Sequence, residues 1–548
     1  MSDTPRPNIL WITTHDISPD LGCYAGVWPG AGYAHTPHLD QLAAEGARYD
    51  QAFAVAPVCA PSRSAIITGM YPTAIGTMHM RSRAVPPPEV RCFPEELRAA
   101  GYYCTNNAFS DFQFQTPVTV WDAHGPQAHW RNRPDPTQPF FAVFHGMVTH
   151  ESQIYADEEQ YQRNTRRLTP TQRHDPAAAP LPPYYPDTPV FRQAWARYSD
   201  NVTAMDYWAG DLLRQLADDG LADTTLVVFW SDHGLGMPRA KRWPYDSGLR
   251  VPLLVRWPGR IAPGTVRAEP VTLLDLAATT LAAAGLPVPA HMHARPLFDA
   301  QGRPSSPRPY IFGHRDRMDE QEDTIRTVRD GRFRYIRNYH PDRPAMQHLE
   351  YADCLPTWRE LRRLHFEEAT LRGRGETPGL LTPAQRRVLA SSRPEEELYD
   401  VRADPYEIED LAGDPRYAAD LTRLRDALAE WQQTYGDLGL IPEAELIERW
   451  RPGGVAPATA PPAVEIVDGR IVATCATEGA SIGWTADPPR PHEAPGLLSQ
   501  ITGDPDTGGR AWHLYRAPFP APPGITLWFR AQRLGYQASA DVAVAVEP

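Results

Sequence analysis

The sequence is poor in several features that would fix its class at once. Only six cysteines occur in 548 residues: Cys23, Cys59, Cys92, Cys104, Cys354 and Cys475. None forms a Cys-x-x-Cys pair or a zinc-ligand spacing, which excludes a disulfide scaffold and a zinc ribbon. No apolar run is long enough to cross a bilayer. The start, Met1-Ser2-Asp3-Thr4-Pro5-Arg6-Pro7, lacks the apolar core of a secretory leader. A soluble cytoplasmic protein is therefore expected, or a periplasmic or secreted one if a leader has been removed. Net positive charge is also missing. A formal charge of -13 argues against nucleic acid as partner and gives no bulk attraction to a polyanion. Anion binding must come from a local pocket. No Gly-x-Ser-x-Gly elbow appears, and no glycine-rich phosphate loop follows the first strand.

What is present points to a large α/β enzyme. Hydrophobic residues make up 42% of the chain, enough for a full core. Three β-prone runs read as strands buried on both faces: Asn8 to Thr14, Pro139 to Phe144, and Thr225 to Trp230. Each delivers polar residues at its carboxyl end, where ligands gather in a parallel sheet. These are His15-Asp16, then Thr149-His150-Glu151, then Ser231-Asp232-His233-Gly234. Helices are predicted from Thr36 to Ala44, Phe93 to Ala100, Tyr198 to Asp219 and Tyr417 to Tyr435. A proline-rich insertion spans about residues 169–189. Arg326 to Ile336 reads as a hairpin turning at Asp330-Gly331.

The predicted domains are a catalytic α/β unit over 1–310 and a smaller α+β subdomain over 311–450. A Pro/Gly-rich linker comes next, over 451–462. Short strands over 463–548 read as a small β-sandwich. Its stretch Ala476 to Thr485 resembles an immunoglobulin-like module found at the ends of some glycan-active enzymes.

The chemistry centres on Cys59-Ala60-Pro61-Ser62-Arg63. Pro61 suits a first helical turn, where a missing N–H costs nothing. Cys59 then lies at a helix start, where free N–H groups favour negative charge, and Arg63 adds a fixed cation. Such a thiol should be acidic and open to an anionic ligand. Asp16 and Asp232 are the two carboxylates suited to a divalent metal, with imidazole or water completing the shell. Capping of the adjoining turns is the alternative role for both.

Cys59 to Arg63, together with Ser64-Ala65 and Thr68-Gly69, resembles the signature of type I sulfatases. In that family the cysteine becomes formylglycine. The resemblance runs over roughly residues 8–450. His15-Asp16 and Asp232-His233 look like its metal strands, and His150 looks like its middle histidine. Lys241 stands where the family places a basic residue on the sulfate. Glu397-Leu398-Tyr399-Asp400 with Asp404-Pro405 looks like its C-terminal hairpin. The resemblance implies an alkaline-phosphatase-like fold, with a large mixed sheet flanked by helices. It implies hydrolysis of a sulfate ester or sulfamate on a sugar, a formylglycine at position 59, a divalent metal, and a formylglycine-generating enzyme as maturation partner. Cys59, Arg63, His150 and Lys241 are then the expected catalytic set, and His15, Asp16, Asp232 and His233 the expected metal set.

Three departures stand out. His15 replaces a usual carboxylate. If His15 ligates, calcium is less favoured than in the rest of the family, and manganese or zinc becomes compatible. Phe109 stands near an expected lysine, leaving Asn107 or Asp111, and His129 with Arg131, as substitutes. Arg315-Asp316-Arg317-Met318-Asp319 resembles a segment of members similar to heparan N-sulfatase. This makes Arg315 and Asp316 candidate substrate contacts, with a salt-bridge cluster as the plainer role. Two rival functions remain open: a phosphate or phosphonate ester hydrolase of the same superfamily, and a non-catalytic glycan-binding protein on a degenerate sulfatase fold.

Overall fold

The computed structural model describes residues 6–489 and 503–547. Its centre is an eight-stranded mixed sheet. The strand order is Thr265–Arg267, Ala47–Tyr49, Leu253–Arg256, Thr225–Ser231, Asn8–Thr14, Phe140–Gly146, Tyr103–Asn107 and Ala123–His124. The middle strand Asn8–Thr14 pairs in parallel with both Phe140–Gly146 and Thr225–Ser231. Register sets where these strands end. Thr14 lies opposite Gly146 on one side and Ser231 on the other, so all three finish at one level. The residues beyond them emerge along a single edge, with neighbouring strands about 4.8 Å apart.

Side chains alternate across this sheet and bury on both faces. Leu10 and Ile12 pack with Leu39, Val202 and Met205 from helices Pro37–Glu45 and Pro189–Asp218. Ile9 and Trp11 pack with Ile66, Ile67 and Leu276 on the other side, from helices Cys59–Thr68 and Leu276–Ala283. The helix predicted from Tyr198 starts nine residues earlier, at Pro189. Proline is favourable at that first position, and Phe191, Ala194 and Trp195 extend the apolar face.

A second, antiparallel sheet has the order Ile311–Arg315, Ile325–Arg329, Phe333–Asn338, Glu396–Asp400. Its hairpin turns where expected. Asp330 Oδ1 accepts from the N–H groups of Arg332 and Phe333, both at 2.7 Å. Helix Ala418–Tyr435 covers this sheet through Leu424, Leu428 and Trp431. Helix Pro356–Gly373 gives little signal in the sequence; it is dominated by charged residues and carries only a thin apolar stripe.

The C-terminal module is a sandwich of a three-stranded and a four-stranded sheet around Ile471, Ile482, Leu527 and Phe529. It does not hang from a free tether. Thr459, inside the segment read as a linker, donates its N–H to Gln537 O at 3.0 Å. Arg91 donates to Ser481 Oγ, and Arg98 to Trp512 O, both at 2.6 Å. Gly503 has φ +76°, and a Cβ there would lie 2.1 Å from Phe114 O, so only glycine allows this seam.

Candidate active site

Helix Cys59–Thr68 points its first residue at the common strand edge. Val58, before it, is extended and offers no side-chain cap. The orphan N–H groups of the first turn are thus left for a ligand. Ser62 Oγ donates to Asp232 O at 2.5 Å, tying the helix to the third strand end. Cys59 is 5% exposed. The open thiol expected from sequence is therefore enclosed, because the loops after all three strands fold over it.

Asp16 and Asp232 face each other beneath Cys59. Asp16 N–H donates to Asp232 Oδ1 at 3.2 Å, and Glu151 N–H donates to Asp16 Oδ2 at 2.7 Å. Asp16 has φ +54°, a left-handed conformation that a short polar residue tolerates. Gly236 is required nearby, since a Cβ there would lie 2.6 Å from Glu151 Cβ. Ligand atoms of His15, Asp16, Cys59 and Asp232 all lie within 4.8 Å of one another, and all four residues are buried. Asp16 Oδ1 accepts no well-aligned hydrogen bond among the described residues, its nearest cation being the His233 imidazole at 3.1 Å. A buried carboxylate oxygen so weakly satisfied is costly, and a divalent cation would satisfy it. The donor set fits such an ion.

Cations surround these acids. Arg63 Nε donates to Asp232 Oδ2 at 3.0 Å, and its other nitrogens reach His145 Nδ1 at 3.0 Å and His15 Nε2 at 3.0 Å. His15 Nδ1 is itself 3.2 Å from Asp232 Oδ2. Lys241 Nζ bonds Asp16 Oδ2 at 2.7 Å and Glu151 Oε1 at 2.9 Å. His233 Nε2 lies 3.1 Å from Asp16 Oδ1 and 3.4 Å from Cys59 Sγ.

The charges shift one another strongly. Burial alone would raise Asp16, but Lys241, His150 and His233 hold it well below the carboxylate range. Burial likewise opposes ionisation of Asp232, and His233, Arg63 and His15 overcome it. Burial disfavours the Cys59 thiolate, yet Lys241 and His233 bring the thiol well below its usual value. His233 is pushed up to about 10: burial opposes the charge, and Asp232 and Asp16 outweigh it. His150 also rises, because Asp16 and a bond to Cys59 exceed the effects of burial and Lys241.

Seven of the expected residues therefore meet around Cys59: His15, Asp16, Arg63, His150, Asp232, His233 and Lys241. Three others lie elsewhere. His129 packs on Trp130, with ring centroids 4.0 Å apart, and its Nδ1 accepts from Arg131 N–H. A histidine beside tryptophan on a loop finds a packing partner first. Arg315 is fully buried, paired to Asp323 and to Gln347 Oε1 at 3.0 Å. Asp316 is held by Arg326 at 2.9 Å and His314 at 2.8 Å. Both belong to an ion network inside the second subdomain.

Sequence reasoning gives no role to Glu151, His145, Asn106 or Phe109, and the structure gives one to each. Glu151 is held down to about 2 against its burial by Arg242 and Lys241. His145 Nε2 bonds Asn106 Oδ1 at 2.8 Å, and burial with Arg63 nearby keeps it neutral. Phe109 takes the lysine's place differently, with its ring 4.9 Å from the Arg63 guanidinium carbon. Asn107 turns away, donating to Pro126 O and Ala128 O at 3.0 Å. Asp111 stays close, buried and paired to Arg81, and burial raises it to about 6. One signal in the sequence does mark the site. Lys241 is the only lysine in the chain, and every other permanent cationic side chain is an arginine.

A family model for sulfatases matches residues 7–137 and 128–286. An ulvan-active sulfatase of Formosa agariphila is 38% identical, covering 98% of this chain and 91% of that protein. The chain belongs to the sulfatase family. A second model, the C-terminal region of N-sulphoglucosamine sulphohydrolase, matches residues 234–353 of this sulfatase. The human N-sulphoglucosamine sulphohydrolase is 27% identical over 80% of this chain and 93% of its own. A 2-O glycosaminoglycan sulfatase superposes with TM-score 0.56 at 18% identity, covering 79% of this chain and 93% of that one. A phosphonate monoester hydrolase of Silicibacter pomeroyi superposes with TM-score 0.55 at 19% identity, covering 80% and 97%. These two show the alkaline-phosphatase-like fold, which alone does not choose between sulfur and phosphorus esters.

Proposed function

We propose that this sulfatase removes sulfate from a polysaccharide of the kind its 38%-identical relative acts on, ulvan, through a formylglycine made from Cys59. The observation that carries the reading is the position of Cys59. It opens a helix, is enclosed by Arg63, Lys241, His150 and His233, and sits over Asp16 and Asp232. The hydrated aldehyde supplies one hydroxyl as nucleophile toward sulfur and a second that expels sulfate without water attacking sulfur. A divalent cation, calcium by family resemblance, would be held by Asp16 and Asp232, with His15 within reach, and would supply Lewis acidity toward the sulfuryl oxygens.

The chain's own groups do the remainder. Arg63 and Lys241 are fixed before substrate arrives, so they stabilise charge growing on the sulfuryl oxygens without reorganising. The attacking hydroxyl passes its proton to the adjacent Asp16 carboxylate and from there to solvent, while His150, favoured as imidazolium, protonates the leaving sugar oxygen and becomes neutral. It can then accept the proton lost as sulfate departs, which returns it to its starting state. Neutral His145, fixed by Asn106, orients Arg63. The second subdomain closes one side of the site through Arg242, which holds Glu151 at 2.7 Å and lies 3.9 Å from Asp319.

The test is expression alongside a formylglycine-generating enzyme, mass spectrometry of the Cys59 peptide, and sulfate release from ulvan. Parallel rates on an aryl sulfate and an aryl phosphate separate the two ester classes. An unmodified thiol in the native host, with no sulfate released, would leave only the glycan-binding reading.

A further inference from the structure

Behind the Lys241 loop lies a second cleft. Arg239, Trp243 and Tyr245 line it, together with residues of helix Pro383–Val388 and of the segment before strand Glu396–Asp400. The interior is about 50 Å³ within an envelope of about 510 Å³ that opens to solvent. The envelope is in the range of small-ligand sites, while the interior admits only a small group.

Three arginines and two carboxylates line it. Arg239 is 7% exposed and makes no ion pair among the described residues. One nitrogen donates to Glu407 O at 2.6 Å, the cation lies 3.9 Å from the Tyr245 ring centroid, and Nη1 has no partner. Arg393, with its side chain 6% exposed, shares Asp323 with Arg315 and leaves both Nε and Nη1 unpartnered. Arg387, exposed at the cleft, bonds a backbone carbonyl, Ile408 O, and no carboxylate among the described residues. Two carboxylates also line the cleft. Glu397 accepts from Tyr399, Tyr245 and Asn338, and Glu407 accepts from Asp246 N–H at 2.7 Å while its Oε1, 2.9 Å from Arg334 Nε, accepts no well-aligned hydrogen bond among the described residues. A buried charge without a counter-ion, as at Arg239, is strongly disfavoured. Two guanidiniums that line one cleft and keep N–H groups unbonded among the described residues suit a carboxylate or sulfate.

We propose that this cleft binds an oxyanion, the carboxylate or sulfate substituent of a saccharide, on the free N–H groups of Arg239 and Arg393. The site stands apart from the Cys59 centre and does not depend on the chemistry there. Crystals of the full chain soaked in sodium selenate should show an anomalous peak between these two residues, separate from any peak beside Cys59. Calorimetric titration with inorganic sulfate and with glucuronate then tells the two sources apart. Ala384→Phe fills the cleft from its helical wall without touching an ion pair, and should abolish cleft binding while aryl sulfate turnover is retained. Arg393→Gln should weaken it about tenfold or more. Only water in the cleft with both probes, or binding unchanged by Ala384→Phe, would overturn the proposal.

Discussion

Replacing Lys241 by methionine tests the site most directly. The residue is 2% exposed, and its ammonium is shared by Asp16 and Glu151 at 2.7 and 2.9 Å. Methionine fills similar volume without the charge. Glu151 keeps Arg242, while Asp16 loses Lys241 and keeps only the His233 imidazole, 3.1 Å from its Oδ1. Breaking a buried pair from one side costs about 3–5 kcal/mol, and a bound metal at Asp16 would reduce that. The rate should fall further than stability implies. Losing one pre-positioned donor to the developing charge costs roughly 10²–10³ in kcat. Burial opposes the Lys241 charge, but Asp16 and Cys59 hold its pKa above the ordinary lysine value. Its stabilising contribution is therefore complete below about pH 10.4 and declines only as pH rises beyond that. The rate loss should be flat from about pH 6 to 9. Lys241→Arg is the sharper probe. A planar five-donor fork cannot occupy the point-like position between two acids with Arg242 alongside. The assay is kcat/KM on an aryl sulfate, converted to a free-energy difference, with thermal unfolding as control. Near-full activity in Lys241→Arg would refute the argument that a compact ammonium is needed.

Three further outcomes are expected from the geometry. Cys59→Ala should be inactive and Cys59→Ser should retain sulfate on the protein after at most one turnover; steady turnover by Cys59→Ala would rule out the covalent route. Burial raises Asp111 to about 6, so the fold favours its neutral form, and its contribution to stability is greatest below about pH 4 and lost as pH rises through 6. The ionised form is the one that pairs with Arg81 beside the site, so kcat/KM should drop below about pH 6, and the same acid limb persisting in Asp111→Asn would exclude this assignment. Chelation should abolish activity, and calcium at about a hundredfold excess over its Kd should restore about 2.7 kcal/mol of stability; an unfolding temperature indifferent to calcium, manganese and zinc would show that Asp16 and Asp232 hold no ion.

Motif order and hydrophobic runs made the sheet legible, along with the three strand ends and the Cys59 helix, because these are local in sequence. The start of helix Pro189–Asp218 was lost inside a proline-rich stretch, where the helix-starting proline looked like one more breaker. The roles of Glu151 and Arg242 were not legible. Each acts through a partner about ninety residues away, and nothing near either residue announces the pairing.

The sequence by itself determined that strands of the right kind end in acids and imidazoles, and that one cysteine opens a helix behind a fixed cation. Only the tertiary structure decided which of those side chains meet. Parallel register brought Thr14, Gly146 and Ser231 to one level and so assembled the acids of two strands beneath Cys59. Packing sent His129 to a tryptophan and Arg315 to an aspartate. The reason is physical. A residue's type sets what it can bond, but a buried charge takes the nearest partner that folding brings to it, and that partner is seldom its neighbour in the chain.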